Sequence, residues 1–271
     1  MRRRPSYLWY APVIAIVAVW MFPIAWTAIT SLKPESELVK LTPSFAFDPT
    51  FHNYALLFGD KHFGFFLRNS VLVAGGATLV SVFLASLAAY ALSRGQIWAR
   101  EQIGMWILSL RMLPAISVIV PFYLLLNQAH LLDTYIGMLM VYLSFSLPFA
   151  IWMLHGFFSE VPRSLDEAAS ADGAGPLKTL FRIVVPLSAA GLAVTMIFTF
   201  VFAWNEFLFA FLLTRTQWPT VPTRLGLTST PFQTDYGFLT AGGIVALLPL
   251  VIIVFLLQRQ MVRGMTFGAV R

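Results

Sequence analysis

Long apolar stretches with almost no charge recur along this chain, and they limit its fold more than any other feature. They lie near residues 8–31, 69–92, 103–126, 135–157, 187–212 and 237–257. The hydrocarbon core of a bilayer is about 30 Å thick, and a helix needs roughly 20 apolar residues to cross it. Because these runs are continuous and do not alternate in short pieces, they favour helices over the strands of a β-barrel. The sequence therefore predicts an all-α integral membrane protein with six transmembrane helices.

The composition agrees with a membrane protein and argues against several kinds of site. Of the 271 residues, 58% are hydrophobic and 11% are charged, whereas about a quarter of the residues of a soluble domain are charged. The chain has no cysteine, so a disulfide or a thiolate site is impossible. Its four histidines, at positions 52, 62, 130 and 155, lack the spacing of metal ligands. The net charge of +6 comes from short clusters between apolar runs, which does not favour nucleic-acid binding.

The Lys and Arg residues predict how the chain is oriented. With six spans both termini lie on one side of the membrane, and that side carries eleven of the eighteen Lys and Arg residues, against six on the other. Arg111, the remaining one, falls inside the third span. Because cytoplasmic loops are enriched in these residues, both termini are predicted to be cytoplasmic. Arg2-Arg3-Arg4 imitates a secretory signal, but the uncharged stretch 5–32 is long enough to span and lacks a small-residue cleavage site, so we expect a retained helix.

The spans divide the chain into three predicted parts. Residues 1–68 hold the first transmembrane helix and an external loop, and residues 69–258 form a core of five helices. Residues 259–271 form a cytoplasmic tail. A second external loop, about 213–236, lies between the fifth and sixth spans, and the cytoplasmic loop 161–186 joins the fourth to the fifth.

That cytoplasmic loop contains the stretch "LDEAASADGAGPLKT" (165–179), which at first resembles a nucleotide-binding loop. A phosphate-binding loop places a glycine directly before its lysine, so that successive backbone amides surround the phosphates. Here Leu177 precedes Lys178, and Pro176 removes one of the amides that would donate. The spacing argues strongly against nucleotide binding by this loop.

Local signals in the same loop predict a short helix, a sharp turn and a second helix on the cytoplasmic face. Ser164 and Glu167 have the spacing of a capping box that begins the first helix. Asp166 and Glu167 suit the positive end of its dipole, Gly173 and Gly175 end it, and Pro176 begins the next. The small, flat alanine face suits a close-fitting protein partner, although a simple interfacial connector is an open alternative.

The same residues resemble a known family. Glu167-Ala168-Ala169, Asp172-Gly173-Ala174 and Ile183-Val184-Val185-Pro186 are similar to the EAA signature of the permeases of type I binding-protein-dependent ABC importers. Val185 replaces the usual leucine, and Ala190 stands where many sugar permeases have proline. Further motifs resemble the carbohydrate branch, specifically the maltose-system-type second permease subunit: Asn69-Ser70, Met112-Leu113-Pro114, Leu132-Asp133-Thr134, Leu147-Pro148-Phe149, Trp204-Asn205-Glu206-Phe207 and the C-terminal residues 263–270.

The resemblance implies a non-catalytic subunit in the cell (inner or plasma) membrane. Such a subunit pairs with a second homologous permease, sits on two ATPase subunits and receives solute from an extracytoplasmic binding protein. ATP and Mg belong to the ATPases, so no cofactor is expected on this chain. The resemblance assigns ATPase coupling to Glu167, Ala168, Ala169, Asp172 and Gly173: Glu167 contacts a basic group, the alanines permit close packing, and Gly173 forms the turn. The C-terminal tail is a further candidate for ATPase contact.

The outer part of the fifth span holds candidates for the solute pathway. Glu206 is a costly intramembrane carboxylate beside Trp204 and Asn205, and an aromatic face next to two hydrogen-bonding groups suits sugar binding. The favoured alternative is a structural hydrogen bond or ion pair, for example between Glu206 and Arg111. Arg111 has a second interpretation, as the mark of a third span that begins later.

Two other functional classes stay open at this point. An ion-coupled secondary transporter needs ionisable groups near the membrane midplane, and the spans offer only Arg111 and Glu206. An intramembrane enzyme needs a convergent catalytic set, and no catalytic or metal-binding arrangement is evident in the spans. Within the importer class, a polyol or sugar phosphate is an alternative to a sugar, because the sequence does not identify the solute.

Overall fold

The computed structural model describes residues 10–40, 42, 44–95, 97–228 and 234–268, with side chains described up to residue 260. This part of the chain consists of helices and their connections, without a β-sheet. The predicted all-helical class is therefore confirmed. Arg2-Arg3-Arg4, residues 229–233 of the second predicted external loop, and residues 269–271 of the tail lie outside the described residues, as do the side chains of 261–268.

Four helices are long and apolar enough to cross a membrane. They are α1 (Tyr10–Ser31), α4 (Phe63–Arg94), α7 (Tyr135–Glu160) and α14 (Tyr236–Gly268). Short helices α2 (Glu35–Leu38) and α3 (His52–Phe58) follow α1, and α12 (Leu208–Leu213) and α13 (Val221–Gly226) precede α14. These four helices occupy the first, second, fourth and sixth apolar runs of the sequence.

The third and fifth apolar runs, each predicted as one transmembrane helix, form bent pairs of helices. In the third, α5 (Arg100–Ser109) and the 3₁₀ turn Leu110–Met112 meet α6 (Ala115–Gln128) at 89°. The break follows from Pro114, because a residue before proline is pushed out of the helical region. Leu113 accordingly has an extended backbone, with φ −64° and ψ 124°. The described residues thus hold four helices long and apolar enough to span a membrane, or up to six such spans if each bent pair counts as one.

One break lies at the start of the fifth run and another lies within it. The stretch Pro176–Leu187 meets α11 (Ala189–Trp204) at 83°, and α11 ends before α12 begins. The first stretch comprises α9 (Pro176–Thr179), the π-helical turn Leu180–Val184 and α10 (Val185–Leu187). The break lies at Ser188, whose φ of −96° and ψ of 20° leave the helical region, two residues after Pro186, which lacks an amide hydrogen for the helical ladder.

The chain divides into two compact units, and the larger one holds the described residues of Phe66–Thr223 and Pro249–Arg271. Two hydrophobic clusters form its interior, and α4 and α7 contribute to both. These helices are in contact at Gly76 of α4, where an added Cβ would overlap the hydroxyl group of Tyr135, the first residue of α7. Small residues permit such contact between membrane helices. The first cluster includes Val73, Ala77, Val141 and Phe200, and the second includes Ala85, Leu154, Phe158 and Val184.

The smaller unit holds the described residues of Met1–Phe65 and Arg224–Leu248, so part of the predicted core 69–258 packs with the N-terminal residues. Asn53 closes the C-terminal end of α1, because its side-chain amide donates to the carbonyls of Ser31 (2.8 Å) and Lys33 (2.9 Å). The apolar window of α1 that is long enough to span a membrane precedes this end. None of its residues is buried within the chain.

Candidate functional site

The helix that carries the EAA signature is α8 (Arg163–Ala171), called the EAA helix below. It begins two residues earlier than a Ser164 cap requires, after Pro162, and no side chain caps it. Ser164 already lies in the first turn, where its backbone is helical. The predicted capping box of Ser164 and Glu167 is therefore wrong, because the extended Pro162 (φ −58°, ψ 133°) starts the helix in its place.

The end of the EAA helix follows the prediction. Gly173 has φ +74°, a left-handed conformation that side chains other than glycine rarely adopt. Its amide donates to the Ser170 carbonyl (3.0 Å), and the Ala174 amide donates to the Ala169 carbonyl (2.8 Å). These two bonds form the Schellman motif that satisfies the last carbonyls of a helix. Pro176 then begins α9, as predicted, and these amides are engaged within the chain and unavailable to a phosphate.

The EAA helix has an outward and an inward side. Glu167, Ala168, Asp172 and Gly173 are exposed. Ala169 is 6% exposed and packs within its own chain. Four of the five predicted coupling residues therefore share an accessible surface, and Ala169 lies on the opposite side.

Contacts on the inward side tie the EAA helix to α4. The Asp166 carboxylate lies 3.1 Å from Nε of Arg94 and accepts a hydrogen bond from the Tyr90 hydroxyl (3.1 Å). Arg94 also donates to the Val161 carbonyl (2.8 Å). Arg163 donates in return to the Ser93 carbonyl (3.1 Å), one of the last carbonyls of α4. Asp166 is thus held by a basic group within the chain, in addition to its place near the start of the helix dipole.

The predicted pathway residues lie where α11 ends. Trp204 is 4% exposed, and its ring stacks on Phe200 with centroids 5.5 Å apart, so no free aromatic face is available for a sugar. Asn205 is exposed, but its side-chain amide donates to the Val201 carbonyl (2.8 Å). The Glu206 carboxylate accepts from the amides of Phe209 (2.9 Å) and Ala210 (3.1 Å). These are the first amides of α12, which lack partners within that helix.

Arg111 and Glu206 do not form the ion pair offered as an alternative: the Glu206 carboxylate accepts from two backbone amides, and Arg111 has aromatic rings as its neighbours. Arg111 lies in the turn that joins the two halves of the third run. Its guanidinium group is 4.5 Å from the Phe149 ring centroid and 4.1 Å from that of Phe202. Cation–π attraction therefore stabilises this charge, and α5 precedes it, so Arg111 does not mark a later helix start.

A second polar cluster, outside the predicted site, fixes the segment 214–221. Asp133 accepts from the amides of Thr216 (2.8 Å), Gln217 (3.0 Å) and Trp218 (2.9 Å). Burial alone would raise the pKa of the Asp133 carboxyl group, but the backbone amides of residues 215–218 hold that pKa below its ordinary value. Asn69 donates to the Gln217 carbonyl (3.0 Å) and the Pro219 carbonyl (3.2 Å).

Comparison with known proteins identifies the family. The family described as "binding-protein-dependent transport system inner membrane component" matches residues 81–267. The chain belongs to this family. It is a permease subunit of the binding-protein-dependent class, as its EAA signature predicts.

Relatives and solved structures agree with this assignment. The chain is 35% identical to the trehalose transport system permease protein SugB of Mycobacterium tuberculosis, over 99% of this chain and 98% of that protein. It is 34% identical to the trehalose/maltose transport system permease protein MalG of Thermococcus litoralis, over 95% and 94%. A crystal structure of a bacterial ABC transporter that imports alginate has a chain with TM-score 0.74, 21% identity and coverage of 96% and 99%. The last likeness shows that the fold is shared.

Two features of this permease were not predicted as parts of its site. The Arg94–Asp166 contact joins residues in different helices, and no local spacing indicates such a pair. The motifs Asn69-Ser70 and Leu132-Asp133-Thr134 were noticed for their resemblance but received no role. Both depend on the fold, which places the EAA helix against one end of α4 and the segment 214–221 near the other. Among the described residues, no cluster of three His, Asp or Glu side chains is placed to hold a metal.

Proposed function

We propose that this permease is one of two homologous membrane subunits of an ATP-driven carbohydrate importer, and that it forms half of the translocation pathway. In this proposal two ATPase subunits bind ATP and Mg, and an extracytoplasmic binding protein delivers the solute. The EAA helix and both chain termini face the cytoplasm, in keeping with the Lys and Arg distribution. This chain holds no cofactor and catalyses no reaction.

The observation that carries the proposal is the accessible surface of the EAA helix. Glu167 and Ala168 lie on it, and the turn at Gly173 closes it with two backbone hydrogen bonds. A short helix with small side chains and a fixed end fits closely into a cleft of a partner subunit. Glu167 supplies a carboxylate for a basic group of the ATPase, and closure of the ATPase pair moves the helix as a rigid body.

The names of the relatives support a carbohydrate as the solute class. Besides the trehalose and trehalose/maltose proteins, the chain is 34% identical to a sulfoquinovosyl glycerol permease of Agrobacterium fabrum. All three names specify glycosides or glycosyl compounds. A related fold also occurs in an alginate transporter in complex with its pentasaccharide-bound periplasmic protein, at TM-score 0.64 and 17% identity.

The test uses the whole transporter, purified through a tag on this permease and reconstituted in proteoliposomes. We expect ATPase subunits to copurify, and uptake of a labelled sugar to require ATP hydrolysis. The Glu167→Ala variant is expected to enter the membrane normally and to lose most of its uptake. Uptake that survives an inactive ATPase but stops when the ion gradient collapses would favour an ion-coupled transporter and overturn the proposal.

A further inference from the structure

Helix α4 is held by polar contacts near both of its ends. Tyr90 and Arg94 contact the EAA helix, and Asn69 and Ser70 hold the segment 214–221. We infer that α4 is the rod that transmits movement of the EAA helix to this segment, with Arg94 and Asp166 as the positioning residues. The inference rests on the proposed function, since it takes the EAA helix as the ATPase contact and the segment 214–221 as part of the external loop.

At the C-terminal end of α4, two arginines link α4 to the EAA helix, and each helix contributes one of them. Arg94 of α4 reaches Asp166 and the Val161 carbonyl, whereas Arg163 of the EAA helix reaches the Ser93 carbonyl of α4. The Arg94 and Asp166 side chains are only 11% and 19% exposed. Separating them would leave each of these poorly hydrated charges without the opposite charge that neutralises it, which is costly. A tilt of the EAA helix therefore moves the end of α4 with it.

The outer end of the rod is held by uncharged groups. Asn69 donates to the carbonyls of Gln217 and Pro219, and the Ser70 hydroxyl accepts from the Val221 amide (2.7 Å). Asp133 fixes the same segment from the turn before α7 through the amides of residues 216–218. The segment is thereby a shaped loop whose position depends on α4. At 1.5 Å per helical residue, Ser70 and Arg94 are about 36 Å apart along the axis, which is enough to cross the roughly 30 Å hydrocarbon core of a bilayer.

The helix between these ends is one uninterrupted α-helix. Proline interrupts the hydrogen-bond ladder of a helix and bends it, and α1, α6, α7 and α14 each contain one. The 32-residue α4 contains none. It also contributes to both hydrophobic clusters of the larger unit, so it is supported along most of its length. Movement at one end reaches the other without being absorbed by a kink.

The experiment measures ATP hydrolysis by the reconstituted transporter, with and without the solute-loaded binding protein, together with sugar uptake. For Asp166→Asn and Arg94→Lys we expect normal copurification of the ATPase and a basal rate within about twofold of the unchanged protein, but a loss of about tenfold in stimulation, within the usual range for coupled sites. Arg94→Lys keeps the charge but loses the planar fork that reaches two acceptors. Glu160→Gln and Arg100→Lys are matched controls, because both side chains are exposed and neither has an ion pair among the described residues.

The outer end gives a second test that leaves the EAA helix intact. Asn69→Ala is expected to lose stimulation to the same extent as Asp166→Asn, whereas the exposed Asn127→Ala keeps it. If Asp166→Asn does not enter the membrane, the result for Asn69→Ala alone tests whether α4 transmits the movement. Stimulation equal to that of the controls in Asn69→Ala, or in a well-inserted Asp166→Asn, overturns the inference. If those variants are normal while Glu167→Ala abolishes uptake, only the rod is refuted; if Glu167→Ala is also normal, the proposed coupling fails as well.

Discussion

The EAA helix and the end of α11 are both polar regions in a hydrophobic chain, and the sequence offered both as candidate sites, with a structural role favoured for Glu206 at the end of α11. They differ in what their polar groups do. Glu167 is exposed on the EAA helix, whereas the Glu206 carboxylate accepts hydrogen bonds from two backbone amides of α12. An acidic residue near the membrane is therefore a candidate for partner or solute contact only when its oxygens are not needed to close a helix of its own chain.

The same difference applies to the neighbouring apolar groups. Ala168 is exposed beside Glu167, while Trp204 is buried beside Glu206 and stacks on Phe200. The EAA helix presents a small side chain outward, whereas the end of α11 buries a large aromatic side chain in the hydrophobic interior of the chain. We therefore expect changes in the EAA helix to alter transport more than stability, and changes at the end of α11 to alter stability more than transport.

The largest effect is expected at the turn that ends the EAA helix. Gly173→Ala places a side chain in a left-handed conformation, at a cost of about 1–2 kcal/mol, and the turn is expected to reshape and misplace the adjoining surface. Sugar uptake should fall to near background while the protein still enters the membrane.

Gly175→Ala is the matched control for that change. An added Cβ at either glycine meets nothing within 4 Å, but Gly175 has an ordinary φ of −73°. Uptake should therefore survive. Equal loss of uptake in the two variants would show that the left-handed turn is not what matters.

A smaller effect is expected for Glu206. Glu206→Ala removes the acceptor for two amides of α12 and should lower stability by about 1–2 kcal/mol, as loss of a helix cap does. Glu206→Gln keeps one acceptor oxygen and should lose less. Thermal unfolding in detergent, followed by uptake in proteoliposomes, separates the two quantities. A Gln variant with normal stability but no uptake would place Glu206 in the solute pathway and erase the difference between the two regions.

The smallest effect is expected at Asp133, the carboxylate that holds the segment 214–221. Its folded pKa is below the ordinary value, so its contribution is present above the ordinary Asp pKa of about 3.9 and is lost as pH falls through the folded value. Because the group is partly exposed, the contribution should be at most about 1 kcal/mol. Thermal unfolding between about pH 6 and pH 3 should show an acid-dependent loss that Asp133→Asn reduces. An unchanged pH profile in that variant would contradict the role given to the carboxylate.

The sequence predicted the parts of this fold that depend on neighbouring residues. Apolar runs located α1, α4, α7 and α14, and glycine and proline located the turn after the EAA helix. The bend between the two helices at Pro114 also has a local cause, but the apolar run continues across it and so gave no sign of the bend. Span counting by hydropathy does not distinguish a straight helix from two halves that meet at 89°.

Contacts between distant residues were beyond such reasoning. Tyr90 and Asp166 are 76 positions apart, and nothing near either residue indicates the other. Likewise, Ala168 and Ala169 have the same side chain, and only the packing of the EAA helix decides which of them faces outward. The predicted docking surface stays a prediction, of which four residues are exposed and Ala169 is buried.

The most direct test of the central claim uses those two alanines. Because the chain has no cysteine, Ala168→Cys and Ala169→Cys each introduce a single thiol, and the assembled transporter is treated with a short thiol-to-amine cross-linker. The account predicts that Cys at position 168, which is exposed, links this permease to an ATPase subunit, and that Cys at position 169, which is buried, does not. Equal cross-linking at both positions, or linking only at position 169, would contradict the assignment of the outward side of the EAA helix as the ATPase contact.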